Sequence, residues 1–386
     1  MYNIKYYNLR KKINLILFLL PIICLCSKII DYKDKSDKSE ESNWNIVQTS
    51  LGFPVIADIR DDGVSRAYGI EGGGDYQDNE GYLYEYKYSD GSWVKNLILT
   101  KLFRKSAPLI AAKCRGDDQY RLYGYCSEGI FEVEYKNDTW SQRIVHDGGQ
   151  CIIKKGVIRN DNFESLIIYY SREGELGELS YREGEWIFFT IADTLCSFSS
   201  EPSCEHGIAV GNIKGSSGDC IYIINGQSVI FEYSYKDMAK WQVSVVDTID
   251  FSGPNSFWDP EPCIGIFPDF DSQSLFATLS GLYQYKYNGS WVKKKVVEYT
   301  PNFMEAGIGQ DDGVYRLYCC GWFGALCEVS KTGDSFMITD QLEIEPGNAL
   351  EGLSIGPGRG DGVHRIYAEQ FQGFDPFIVY ELTYKN

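Results

Sequence analysis

The stretch YRLYGYCSEGIFEVEYKNDTW, residues 120–140, decides how this chain is read. Apolar and polar residues alternate through it with period two, and turn formers interrupt the alternation at Cys126-Ser127 and Asn137-Asp138. That is the pattern of short strands joined by tight turns. Its second half, an aromatic or apolar residue, Glu, a further apolar residue, a turn and then Trp, recurs along the chain. YLYEYKYSDGSW ends at Trp93, IFEVEYKNDTW at Trp140 and LGELSYREGEW at Trp186. VIFEYSYKDMAKW comes next at Trp241, then LYQYKYNGSW at Trp291, and ALCEVSKTGDSF with Phe336 in the Trp place. The last copy, IVYELTYKN, stops before its Trp.

The missing piece stands at the other end. Asn43-Trp44-Asn45-Ile46-Val47 resembles the residues after the turn in the other copies, as in SWVKNLIL and TWSQRIV. An N-terminal strand at Trp44 therefore completes the last sheet and closes a ring. Residues 44–386 divide into seven units of about 49 residues each. In the first unit the predicted strands are 54–59, 66–70, 83–88 and 93–99, with turns at DDG, GGGDYQDNEG and SDG. No convincing helical run interrupts them. The fold class expected is all-β: a seven-bladed β-propeller of four-stranded antiparallel blades.

Composition agrees and narrows the function classes. The 386 residues include 29 Tyr, 8 Trp and 39 Gly, which favours pleated sheets and turns over helices. Lys and Arg number 37 against 54 Asp and Glu, a net charge of −17, and no basic cluster follows residue 12. An anionic surface repels a phosphate backbone, so nucleic acid is not an expected partner. Only three histidines occur, and HExxH, paired CxxC, GxSxG, P-loop and GxGxxG motifs are absent. Zinc chemistry, nucleophile-elbow hydrolysis and nucleotide binding lose their usual signatures, and no cofactor, metal or catalytic residue is expected.

Two charged residues recur where blade faces are ordinarily apolar. One is Arg in an Arg-apolar-Tyr triplet opening the second strand, at Arg66, Arg121, Arg316 and Arg365. The other is Glu on the third strand, at Glu85, Glu132, Glu178, Glu232, Glu328 and Glu381, with Gln284 in the fifth unit. A two-residue turn at Cys126-Ser127 sets Arg121 across from Glu132, both projecting into the cleft between blades. A guanidinium fork and a carboxylate can bind vicinal hydroxyls while Trp covers a sugar face. The same pairs also read as ion pairs stapling neighbouring strands. The Arg is absent from units 3, 4 and 5.

At these residues the chain resembles the Aleuria-type fucose-binding propeller lectins. The likeness lies in R-x-Y, then about a dozen residues, then I/L-x-E-aromatic, then Trp eight after the Glu. Members of that family hold fucose between the Arg and Glu of one blade and an aromatic residue of the next. The resemblance implies four clefts: Arg66 and Glu85 with Trp140; Arg121 and Glu132 with Trp186; Arg316 and Glu328 with Trp44; and Arg365 and Glu381 with Trp93. It implies a fucose-like sugar or glycan as partner. The interval from Arg to Glu is longer in the first and last of these units, and the best-known members have six blades.

The function expected is a non-enzymatic, lectin-like propeller. The alternatives are a sugar-blind scaffold for a protein partner and a glycoside hydrolase with paired acids in the central channel. The Asp61-Asp62-Gly63 and Asp311-Asp312-Gly313 stretches lack the alternating oxygens of a calcium loop and read as turns. Asn137-Asp138-Thr139 and Asn288-Gly289-Ser290 are glycosylation acceptor sequences on turns.

The N-terminus reads as a targeting segment. Lys5, Arg10, Lys11 and Lys12 precede an apolar run at 13–26, short for a membrane span and suited to a secretory signal. Residues 1–26 are expected to be a signal, with acylation at Cys24 or Cys26 as a lipoprotein variant, and 27–43 a disordered charged tether. The expected location is secreted, cell-surface or periplasmic, touching membrane only through that anchor. Export makes disulfides plausible: Cys196 with Cys204, and Cys327 with Cys319 or Cys320, against buried free thiols.

Overall fold

The computed structural model describes residues 42–385 except 73–80, 104–108, 127, 150, 160, 162, 171–173, 194–206, 225–228, 237–239, 249–263, 268–272, 279–280, 299–300, 322–323, 334, 345–348 and 372–377. The expected signal, both candidate acylation sites, nearly all of the tether, and Cys196, Cys204 and Cys263 lie outside the described residues.

Among the described residues, twenty-eight strands form seven four-stranded antiparallel sheets. Strand β1 (Trp44–Thr49) comes first in sequence but belongs to the last sheet. Blade 1 holds β2 (Pro54–Ala57), β3 (Arg66–Gly72), β4 (Gly81–Ser89) and β5 (Ser92–Phe103). Blade 2 holds β6 (Ile110–Ala112), β7 (Arg121–Cys126), β8 (Gly129–Lys136) and β9 (Thr139–His146). Blade 3 has β10 (Ile152–Gly156), β11 (Ser165–Tyr170), β12 (Glu175–Arg182) and β13 (Glu185–Ala192). In blade 4 these are β14 (Ile208–Gly211), β15 (Cys220–Ile224), β16 (Val229–Lys236) and β17 (Lys240–Thr248). Blade 5 contains β18 (Ile264–Phe267), β19 (Ser274–Thr278), β20 (Leu282–Tyr287) and β21 (Trp291–Val297). Blade 6 contains β22 (Phe303–Gly307), β23 (Arg316–Cys320), β24 (Ala325–Thr332) and β25 (Ser335–Glu343). Blade 7 is completed by β26 (Ala349–Gly356), β27 (Arg365–Phe371) and β28 (Ile378–Tyr384).

Ring closure is as the sequence implies. Strand β1 pairs antiparallel with β28 from Trp44↔Tyr384 to Thr49↔Val379, making the order β26-β27-β28-β1. Each innermost strand touches the next, β2 to β6 and on round to β26, which returns to β2.

Burial runs from inside outward. The second strands β7, β11, β15 and β19 are buried at every residue, because a blade covers each face. The outer strand β9 alternates exposed and half-buried, with one edge in water. The last hairpin of a blade turns through residues with positive φ: Asp90-Gly91, Asn137-Asp138 and Glu183-Gly184. Two such residues in a row make the turn whose twist matches the flanking strands. A register irregularity follows Leu83, Ile130, Leu176, Ile230 and Leu282, each two residues before the recurrent Glu or Gln. Such bulges re-aim the side chains beside them.

Cys319 stands opposite Cys327 in the register of β23 and β24, but Cys327 is a buried free thiol, so the disulfides expected for it are not formed.

Candidate functional site

The site grows from the loop joining the first two strands of each blade. It spans seven residues: Arg60 to Arg66, Arg115 to Arg121, Gln310 to Arg316 and Arg359 to Arg365. The third residue is Asp, whose carboxylate accepts the backbone N–H two residues on in Asp62, Asp312 and Asp361. The second residue, Asp61 or Asp311, or glycine in the other two, sits at positive φ. These Asp-Gly stretches are therefore turns, as expected, and among the described residues no cluster of His, Cys, Asp or Glu could hold a metal.

The seventh residue is the arginine of the Arg-apolar-Tyr triplet, and the structure gives it a different partner from the one expected. Both terminal nitrogens grip the Asp of their own loop, Arg66 on Asp62 at 2.8 and 2.6 Å and Arg121 on Asp117 at 2.6 and 2.7 Å. Arg316 on Asp312 and Arg365 on Asp361 repeat the grip. Each arginine holds its Asp carboxyl below the usual range, Asp62 down to about 2. Toward Glu these arginines turn only Nε, at 3.7 Å for Arg66–Glu85, 3.2 Å for Arg316–Glu328 and 3.8 Å for Arg365–Glu381. In blade 2 the register corrects the sequence reading: Tyr123, not Arg121, stands opposite Glu132, and Arg121 bonds Glu134 at 2.8 Å. The turn there is one residue later than expected, with Cys126 paired to Gly129.

The cation that holds the recurrent Glu is the first residue of the loop, which sequence reasoning missed. Arg60 donates from Nε and Nη2 to Glu85 at 2.6 and 2.5 Å. Arg115 does the same to Glu132, and Arg359 to Glu381. The position is filled in blades that lack the triplet arginine: Arg159 bonds Glu178 at 2.8 Å, and Lys214 bonds Glu232 at 2.6 Å. In blade 6 Gln310 donates to Glu328 at 2.6 Å. The signal was present as a fixed interval, a basic or amide residue six positions before the triplet's first residue.

Aromatic residues of the next blade roof each cation. Arg60 lies 4.5 Å from the Tyr135 ring and 5.8 Å from Trp140; Arg359 lies 3.8 Å from Tyr88. Arg115 lies over Tyr181, Arg159 over Tyr235, and Lys214 over Tyr287 and Trp291. The triplet Tyr completes the contact edge-on: Tyr68–Trp140 at 6.0 Å, Tyr123–Trp186 at 5.7 Å, Tyr318–Trp44 at 6.4 Å and Tyr367–Trp93 at 6.3 Å. In all four places it is thus the Tyr of the triplet, rather than its Arg, that meets the Trp of the next blade.

Access differs among them. The Glu carboxylates are buried, 0–4 % exposed, whereas the side chains of Arg60, Arg359 and Lys214 keep 21–28 % of their surface. Trp140, Trp186, Trp241, Trp291 and Trp93 are half-buried, but Trp44 is buried and donates to Asp340 at 2.8 Å. The space between Trp44, Tyr318, Glu328 and Asp340 admits no water, so that cleft is closed. In blade 5 the sequence has Pro268 six residues before Ser274; Gln284 donates to Ser274, and Phe276 and Phe336 pack together at 5.1 Å.

No protein-family model and no curated protein matches the chain. Among solved structures it is similar to an Agrocybe aegerita lectin that recognises non-reducing terminal N-acetylglucosamine, at a TM-score of 0.53, 11 % identity and 86 % coverage of each chain. It is similar also to BBS1N in complex with ARL6DN, at 0.54 and 11 % identity, covering 88 % of this chain and 97 % of that one. AofleA from Arthrobotrys oligospora matches at 0.41 and 15 % identity, over 78 % of this chain and 89 % of that one. The first two establish the propeller fold and nothing finer.

Proposed function

We propose that this propeller is a non-enzymatic carbohydrate-binding protein whose sites lie in the clefts between blades, and that it meets glycans outside the cell. The observation that carries the reading is the repeated cleft: a half-exposed Arg or Lys, fixed on a buried Glu and laid against a Tyr beside a half-buried Trp. Such a cleft offers oriented N–H donors beside an aromatic wall, the combination that a sugar's hydroxyls and C–H face require. The similarity to a lectin of N-acetylglucosamine supports the class but not the sugar. Several weak sites around one ring would act together on a glycan-coated surface.

Binding beside five half-buried indoles should change tryptophan emission. A titration of the full chain with neutral monosaccharides is expected to saturate, and Arg359→Ala to weaken it at least several-fold while Arg359→Lys retains part. Saturation unaffected by Arg359→Ala, and by Arg60→Ala in turn, overturns the cleft assignment.

A second reading has its own support. Val243 and Val245, two residues apart on one face of the outer strand β17, are each more than half exposed, an apolar surface of the kind that protein partners cover. A folded chain that ignores every sugar moves the assignment to that surface.

A further inference from the structure

We propose that the boundary between blades 2 and 3 holds a pocket for a single uncharged sugar residue, opened where blade 3 has lost the arginine that plugs the same position in blade 2. The proposal rests on the carbohydrate reading above and names the ligand class of one boundary.

The comparison of the two blades is residue by residue. Ser165 opens β11 where Arg121 opens β7, and Ser180 follows Glu178 by two residues as Glu134 follows Glu132. In blade 2 the buried Arg121 reaches Glu134 at 2.8 Å and fills the space between them. In blade 3 two hydroxyls replace that guanidinium and carboxylate, and a cavity of about 450 Å³ remains, lined by Arg115, Phe163, Ser165, Ser180, Tyr181 and Arg182. Small-molecule sites run from roughly 300 to 1,000 Å³, so a monosaccharide fits with its waters.

The lining chemistry selects the ligand. Ser165 and Ser180 are buried, each within 3.0 Å of Glu178 Oε1 and 2.8 Å from one another. A hydroxyl has one proton and two lone pairs, so after serving Glu178 the pair still presents acceptors to a ligand O–H. Arg182 bonds Asp161 at 2.8 Å, while its buried Nε–H finds no acceptor among the described residues. The cations in the wall are matched already, Arg115 by Glu132 and Glu134 and Arg182 by Asp161, while of its carboxylates Glu164 is held by Lys155 and the Lys113 N–H. An anionic ligand would find no unmatched cation, whereas a polyol needs none. The Phe163 ring, 46 % exposed, sits over Gly116, where a Cβ would come within 2.7 Å of it. That ring and Tyr181 offer a sugar's C–H face two apolar surfaces.

The test is isothermal titration of the full chain with N-acetylglucosamine, fucose and galactose, and with N-acetylneuraminic acid as the charged probe. The wild-type chain is expected to bind a neutral sugar and to refuse the acid at this pocket. S165R/S180E, which rebuilds the blade 2 pair, should lower the stoichiometry by one site per chain. Phe163→Ala, which leaves the buried groups alone, should weaken that site at least fivefold. Should S165R/S180E fail to fold, Phe163→Ala decides alone. Unchanged stoichiometry and affinity in the folded variants overturn the pocket while Arg359→Ala still tests the other clefts. A wild-type chain silent to every sugar overturns the carbohydrate reading and this proposal together.

Discussion

Glu132 lies 1 % exposed with guanidinium groups from Arg115 and Arg143 and the hydroxyl of Tyr123 directed at it. A buried carboxylate is tolerable only while such partners compensate its desolvation, and removing one side leaves the others stranded. Glu132→Ala is therefore expected to cost about 3–5 kcal/mol in urea denaturation. Glu132→Gln, which keeps acceptor and volume, should cost visibly less; equal stability of all three proteins would contradict the network.

At the scale of the element, the seven-residue loop is the unit that repeats. Its Asp, depressed to about 2 in Asp62, stabilises the fold fully above the unfolded carboxylate range and loses that contribution as pH falls toward 2. Asp62 is 43 % exposed, which limits the pair with Arg66 to about 1 kcal/mol or less. Asp62→Asn should be less stable than wild type by that margin at pH 6 and equal to it near pH 2. The loop also shows what sequence could and could not carry. Strands were legible because alternation, Gly and Asn-Asp turns report local backbone geometry directly. The register between β7 and β8 was not, because a slip of two residues keeps every side chain on its own face. Alternation is blind to it, and so Tyr123 rather than Arg121 came to stand opposite Glu132. Arg60, Arg115 and Arg359 went unnoticed because a loop has no periodicity of its own; only the constant six-residue interval to the next repeat position betrays them.

The whole molecule depends on closure. Seven copies of one sheet leave an open edge unless the first strand joins the last, and Trp44 at that seam is buried against Tyr318 and Tyr384. An unpaired β28 would expose a row of N–H and C=O groups to other chains. Deleting β1 should lower the melting temperature and produce oligomers in size-exclusion chromatography, whereas a monomer of unchanged stability would show that the seam is dispensable. The seam was legible because the final copy lacks its Trp while the N-terminal stretch has one to spare. Which boundaries stay open was not legible, since Trp44 closes one and the loss of Arg at Ser165 opens another, and both depend on how neighbouring blades fill space.

The claim that organises these observations is that the boundaries between blades bind carbohydrate. It meets its most direct test in a glycan array probed with the full chain and with Arg60→Ala and Arg359→Ala variants. The account predicts binding to glycans with neutral terminal sugars that falls with each substitution, while the variants remain folded. Uniform silence from a folded wild-type chain, or binding indifferent to both substitutions, would contradict it and leave the Arg–Glu clusters as staples of the ring.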